Sequence, residues 1–142
     1  MPHIHAPGLV LRLDPKTLAA HGATYTGADD EELSPQQYFV CIDANARDAL
    51  WVPLFAGPAP GRKGIAASSK SGNARWTRST SFYDGAQVCR IAHKAVHRAA
   101  EMAYDDSTPK APNAMAVAQL PPRAVFPPDD AFRPMSLNSA IR

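Results

Sequence analysis

The run Gln37-Tyr38-Phe39-Val40-Cys41-Ile42-Asp43 is apolar almost throughout and rich in aromatic and β-branched residues. A strand without polar alternation has no solvent face, so this run belongs at the centre of a sheet, buried on both sides. Residues 44–48 turn the chain, and Leu50-Trp51-Val52-Pro53-Leu54-Phe55 returns as the second arm of a hairpin. Pro53 has no N–H to give to a ladder, which predicts an edge position or a bulge there.

Other elements follow from local signals. Gly8 to Leu13 reads as a first strand. Asp14-Pro15 then starts a short helix over Lys16 to His21, which Gly22 stops. Ala23 to Pro35 is polar and acidic and reads as a long loop. Three glycines and two prolines between Gly57 and Gly64 predict a second loop. Ile65 to Ser69 and Arg75 to Thr80 are short strand candidates, with a turn at residues 71–73. Another turn at Asp84-Gly85 precedes a last strand, Ala86 to Ile91. From Ala92 to Tyr104 the period changes to helical, with Ile91, Ala95, Ala99 and Met102 on one face and His93, Lys94, His97 and Arg98 on the other.

Half of the 14 prolines fall in the last 38 residues, where no period survives. The expectation is therefore one mostly β domain over residues 1–104. It is a small, partly open β-barrel or a strongly bent antiparallel sheet, with one packing helix at 92–104. An extended proline-rich tail over 105–142 follows it. The tail's apolar island, Ala114 to Leu120, either docks as an added strand on the core or on a second copy, or stays disordered with the rest.

Charge is unevenly spread. Residues 1–61 carry three cations against seven carboxylates, a net −4, whereas residues 62–98 carry eight cations against Asp84 alone, a net +7. A basic middle in a chain of net charge +2 suits a polyanion partner, or else the acidic run 29–32 of the same molecule. No run approaches the roughly 20 apolar residues that a membrane helix needs, and no signal peptide is visible, so a cytoplasmic protein is expected. In that compartment Cys41 and Cys89 read as buried thiols rather than a disulfide.

Few residues point to a metal or cofactor, and none is expected. His93 and His97 share a helix face but lack the glutamate of a HExxH site and a third ligand. His3 and His5 are assigned nothing. Phosphate-binding loops, CxxC pairs and nucleophile elbows are absent from the sequence, which argues against a nucleotide-binding α/β enzyme. The stronger signal is the stretch from Arg62 to Tyr83. Arg62, Lys63, Lys70, Arg75 and Arg78 alternate there with Ser68, Ser69, Ser71, Trp76, Phe82 and Tyr83. Cations hold phosphates, hydroxyls add direction and rings stack on unpaired bases, so the mixture suits single-stranded RNA or DNA. Trp76 and Phe82 equally suit a core.

The order of Tyr38-Phe39-Val40-Cys41-Ile42, Leu50-Trp51-Val52-Pro53-Leu54, Gly61-Arg62, Lys70-Ser71-Gly72, Trp76 and Ala86-Gln87-Val88 resembles the small-barrel toxins of toxin–antitoxin systems, the PemK/MazF and ToxN/AbiQ groups. Trp51-Val52-Pro53-Leu54 is the near-literal part. After Leu54 the chain departs from the pattern, with Phe55-Ala56-Gly57-Pro58 in place of a serine–lysine pair. The resemblance implies a metal-independent endoribonuclease with a basic RNA groove, neutralised by an antitoxin. Cleavage by a 2′-hydroxyl needs a base, an acid and cations around the phosphate. Arg62 and Arg75 are the candidate phosphate clamp, and Ser69 with Lys70 would position or donate a proton. His21 is the candidate base, its ordinary pKa lying near neutrality. Lys63, Ser68, Trp76, Arg78, Tyr83 and Gln87 are the candidate nucleic-acid contacts, Gln87 also suiting a strand surface. The leading expectation is thus a toxin-type endoribonuclease on single-stranded RNA, with an antitoxin or other regulatory partner, no membrane, and a homodimer as the assembly. A non-catalytic nucleic-acid-binding or regulatory module using residues 62–98 stays open beside it, as does a phage- or plasmid-type protein-interaction module.

Overall fold

The computed structural model describes residues 6–26, 37–72, 74–78, 80–96 and 113–135. Strand β1 (Val10–Leu13) leads through helix α1 (Pro15–Ala20) to β2 (Thr24–Tyr25), and β3 (Gln37–Ala44) with β4 (Asp48–Leu54) forms the expected hairpin. Then come β5 (Arg62–Gly64), β6 (Lys70–Ser71), helix α2 (Ala74–Thr77), β7 (Phe82–Asp84) and β8 (Cys89–Ala92). Strands β9 (Ala114–Met115) and β10 (Arg133–Pro134) belong to the C-terminal segment. The main sheet has six antiparallel strands in the order β1-β3-β4-β8-β2-β10, while β5 pairs with β7 and β6 with β9. Among the described residues it does not close into a barrel.

Local chemistry explains where the first elements begin and end. Asp14 caps α1 by accepting from the Lys16 amide at 3.3 Å and the Thr17 hydroxyl at 3.0 Å, with Pro15 in the first turn. At the hairpin, the Asn45 side chain accepts from the amides of Arg47 at 2.8 Å and Asp48 at 3.0 Å.

Pro53 occupies neither an edge nor a bulge. Strand β4 is central, and the irregularity lies in β3 between Cys41 and Asp43. Pairing with β8 ends at Trp51, and Phe55 then exchanges both backbone bonds with Phe82 at 2.8 Å. Pro53, two residues before Phe55, faces the same side, in the gap between those partners, where no donor is required.

Alternation along the strands divides the core into two faces. Leu13, Phe39, Cys41, Trp51, Cys89 and Ile91 point to one, where α1 brings Leu18 and residues 93–96 bring Ala95 and Val96. Val10, Val40, Leu50, Val52 and Val88 point to the other, covered by Trp76, Met115 and Phe126. The central hairpin is therefore buried on both sides, as its composition requires.

The C-terminal segment supplies much of that second cover. Strand β9 sits between the start of β1 and β6: Met115 N–H donates to Gly8 at 2.8 Å, Val10 N–H to Asn113 at 2.9 Å, and Ala116 N–H to Ser69 at 2.8 Å. At the far edge β10 pairs with β2, and Met135 N–H reaches the Ala23 carbonyl at 3.0 Å. Between these two anchors the chain crosses the whole sheet, packing Leu120, Phe126 and Phe132 against the second face. The apolar island thus docks on the core, and residues 113–135 form a strap on the domain rather than a tail beyond it.

Several expectations change. Arg75 to Thr80, expected as a strand, instead begins within α2, because Trp76 is drawn into the core from one helical turn. Ile65 to Ser69 is not a strand and ends in a 3-10 turn at Ala67–Ser69. The loop from Ala23 contributes β2, and the Gly57 to Gly64 loop contributes β5. Strand β8 extends to Ala92 and is followed by two more strands, with the helical turn starting at 93. The expected helix beyond residue 96, with His97, lies outside the described residues. His93 is buried, not solvent-facing: its Nε2 lies 2.7 Å from the Asn45 carbonyl, bracing the hairpin turn.

Candidate functional site

The basic stretch lies mostly on the second face, and burial divides its residues. Trp76 is fully buried, its ring centre 5.3 Å from that of Tyr38, and its indole N–H donates to the Ala114 carbonyl at 3.2 Å. Lys70 is also buried. Its ammonium lies 4.2 Å from the centre of the Trp76 ring and donates to Ser81 Oγ at 2.8 Å and the Trp76 carbonyl at 3.4 Å. Burial lowers its pKa from the ordinary lysine value. Ser69 is buried and donates to the Ala66 carbonyl at 2.6 Å.

Gln87 is buried too, accepting from the Tyr25 hydroxyl and donating to Asp84 at 3.1 Å. Half-buried Tyr83 packs on Phe126, ring centres 6.2 Å apart. Half-buried Arg62 lies over Phe55 at 3.9 Å and donates to the Gly57 carbonyl at 2.9 Å. Candidate base and candidate acid are not brought together. His21 is exposed at the end of α1, the helix packed on the first face, and its ring Nδ1 lies 2.9 Å from the Thr17 carbonyl.

What remains at the surface is cationic. Lys63 on β5, Arg75 in α2 and Arg78 just after it are exposed, together with the Ser68 hydroxyl. Asp84, the stretch's one carboxylate, is occupied in its own turn, accepting from the Ala86 amide at 2.8 Å and from Gln87.

A second charged cluster was not read from the sequence. Arg90 and Arg123 both donate to Asp129 Oδ1, at 2.7 and 3.0 Å, and their guanidinium carbons lie 4.6 and 6.0 Å from the centre of the Phe132 ring. The hydrogen bond from Arg90, and next that from Arg123, lowers the Asp129 pKa. Arg90 and Asp129 are 39 residues apart, and no periodicity links a strand residue to a turn in a proline-rich segment.

A groove of about 550 Å³ lies beside β6 and β9, lined by Gly8, Ser69, Lys70, Met115 and Val117 among others. The Lys70 ammonium bonds to Ser81 and Trp76, neither of which lines that groove. Among the described residues no group of three or more His, Cys, Asp and Glu can hold a metal, and no helix is long and apolar enough to cross a membrane. Cys41 and Cys89 are buried on β3 and β8 as thiols, not joined in a disulfide, with β4 between them. Burial pushes the Cys41 thiol up to about 12. Compared with protein-family models, curated proteins and solved structures, the chain matches none.

Proposed function

We propose that the chain is a non-catalytic module that binds the phosphate backbone of single-stranded nucleic acid through the basic face of residues 62–98. The observation that carries this reading is the exposure of Lys63, Arg75 and Arg78 while Asp84, the only carboxylate of that stretch, is spent inside its own turn. Phosphate oxygens are the natural complement of such cations. Trp76, the largest ring of the stretch, is buried, so affinity comes chiefly from charge and shows little base preference. Two buried thiols with no disulfide between them fit work in a reducing compartment such as the cytoplasm.

The test is titration of a labelled oligouridylate at increasing salt, with a gel to follow the RNA. Three phosphate contacts predict a log–log salt slope of about −2. Substituting Lys63, Arg75 and Arg78 by Gln should flatten that dependence markedly while leaving the RNA intact throughout. Absence of binding at low salt rejects the reading, and cut RNA restores the endoribonuclease in its place.

A further inference from the structure

Asp129 sits where a phosphate would. Its Oδ1 receives Arg90 and Arg123 together, yet its side chain is 74% exposed, against 33% and 32% for the two arginines. The arginines have other supports. Arg123 donates through Nη1 to the carbonyls of Pro127 at 2.7 Å and Phe126 at 3.3 Å, and Arg90 rests on strand β8 and the Phe132 ring. A preset pair of guanidinium forks is thus closed by an exposed carboxylate on a three-residue 3-10 turn, Asp129–Ala131.

Exposed ion pairs of this kind contribute little, so the carboxylate exchanges at small cost. A phosphate offers three acceptor oxygens to the same two forks and makes stronger, charge-assisted bonds. Arg90 also alternates with Cys89 and Ile91, which places it on the second face, the one that α2 covers with Arg75 and Arg78 at its surface.

We propose that Arg90 and Arg123 form a phosphate-binding site that Asp129 occupies as an internal stand-in anion until a ligand phosphate displaces it. The site rests on this geometry. Only the ligand, a backbone phosphate of single-stranded nucleic acid, rests on the function proposed above.

Labelled oligouridylate titrated at low salt into the wild type, Asp129→Asn and Asp130→Asn tests the site. Asp129→Asn should tighten binding about tenfold, since it frees two charge-assisted donors. Asp130→Asn removes the same charge without touching either arginine and should change little. Adding Arg90→Gln and Arg123→Gln to Asp129→Asn should erase the gain. Where oligouridylate binds, no gain in Asp129→Asn, or an equal gain in both Asn variants, overturns the site.

Inorganic pyrophosphate separates the two readings. Tighter pyrophosphate binding by Asp129→Asn, with no oligouridylate binding by any variant, keeps the site and rejects the nucleic-acid function. Oligouridylate binding indifferent to Asp129 does the reverse. Should Asp129→Asn fail to fold, the wild type still answers: pyrophosphate should speed amide exchange across residues 129–132, and unchanged exchange overturns the proposal.

Discussion

The Lys70 ammonium lies 4.2 Å from the centre of the Trp76 ring, and the same ammonium donates to the Trp76 carbonyl. One side chain thus supports both the ring and the end of the short helix that carries it. Lys70→Met should cost roughly 1–3 kcal/mol, because it leaves the buried Ser81 hydroxyl and a helix-end carbonyl short of a donor. The pH profile adds a sign. A lysine whose pKa is lowered on folding binds fewer protons folded than unfolded, between the lowered value and the ordinary one near 10.4. Wild-type stability from this group should therefore rise with pH across that alkaline window. Chemical denaturation at several pH values should show the rise in wild type and its absence in Lys70→Met.

Trp51 and Trp76 are both fully buried. Tryptophan emission should be blue-shifted, resist iodide, and stay unquenched when oligouridylate binds. Quenching on binding would mean that a base stacks on Trp76. Trp76→Ala should cost about 3–5 kcal/mol as a large core truncation, read as a lowered denaturation midpoint.

Gly8 has φ of +97°, and a Cβ there would lie 2.7 Å from the Met115 carbonyl oxygen. Gly8→Ala combines a left-handed backbone with a backbone clash, and the loss should be about 1–3 kcal/mol. Hydrogen exchange should quicken together at the amides of Val10, Met115 and Ala116, the donors of the β9 junction. Unchanged exchange at those three would mean that β9 does not depend on the close approach.

Asp129 titrates below the ordinary carboxylate range because two guanidinium groups hold its charged form. Its hold on the strap should be fully present above about pH 3.9, the unfolded value, and vanish as pH falls through the lowered one. Carboxyl NMR should place the Asp129 midpoint below the ordinary aspartate value, and Arg90→Gln should raise it.

The central hairpin was legible because a run such as Phe39 to Ile42 has no solvent face to offer, and α1 because Asp14-Pro15 is a start signal with a local mechanism. Length hid the rest. Strands β2, β9 and β10 hold two residues each, too few to show a period, and α2 is one turn whose β-prone residues pointed the other way. Residue type misled at the site. Lys70, Ser69 and Gln87 look like surface chemistry, yet each is buried with a bonding partner, and for Lys70 and Gln87 that includes a side chain on another segment. Arg90 and Asp129 form the converse case, visible only once the strap is laid across the sheet.

That strap has a consequence for how the chain is made. Everything that seals the second face at β9, at Phe126 and at β10 lies after residue 112, so a nascent chain can build its hairpin long before it can finish. During synthesis Val40, Val52 and Val88 are only partly covered, Trp76 being in place without Met115 and Phe126, and β1 and β2 each keep an open margin. Such intermediates are what chaperones bind and what aggregates recruit. Translation stalled or cut short before Met135 would therefore yield a sticky, unfinished species, whereas chains that carry the whole strap close.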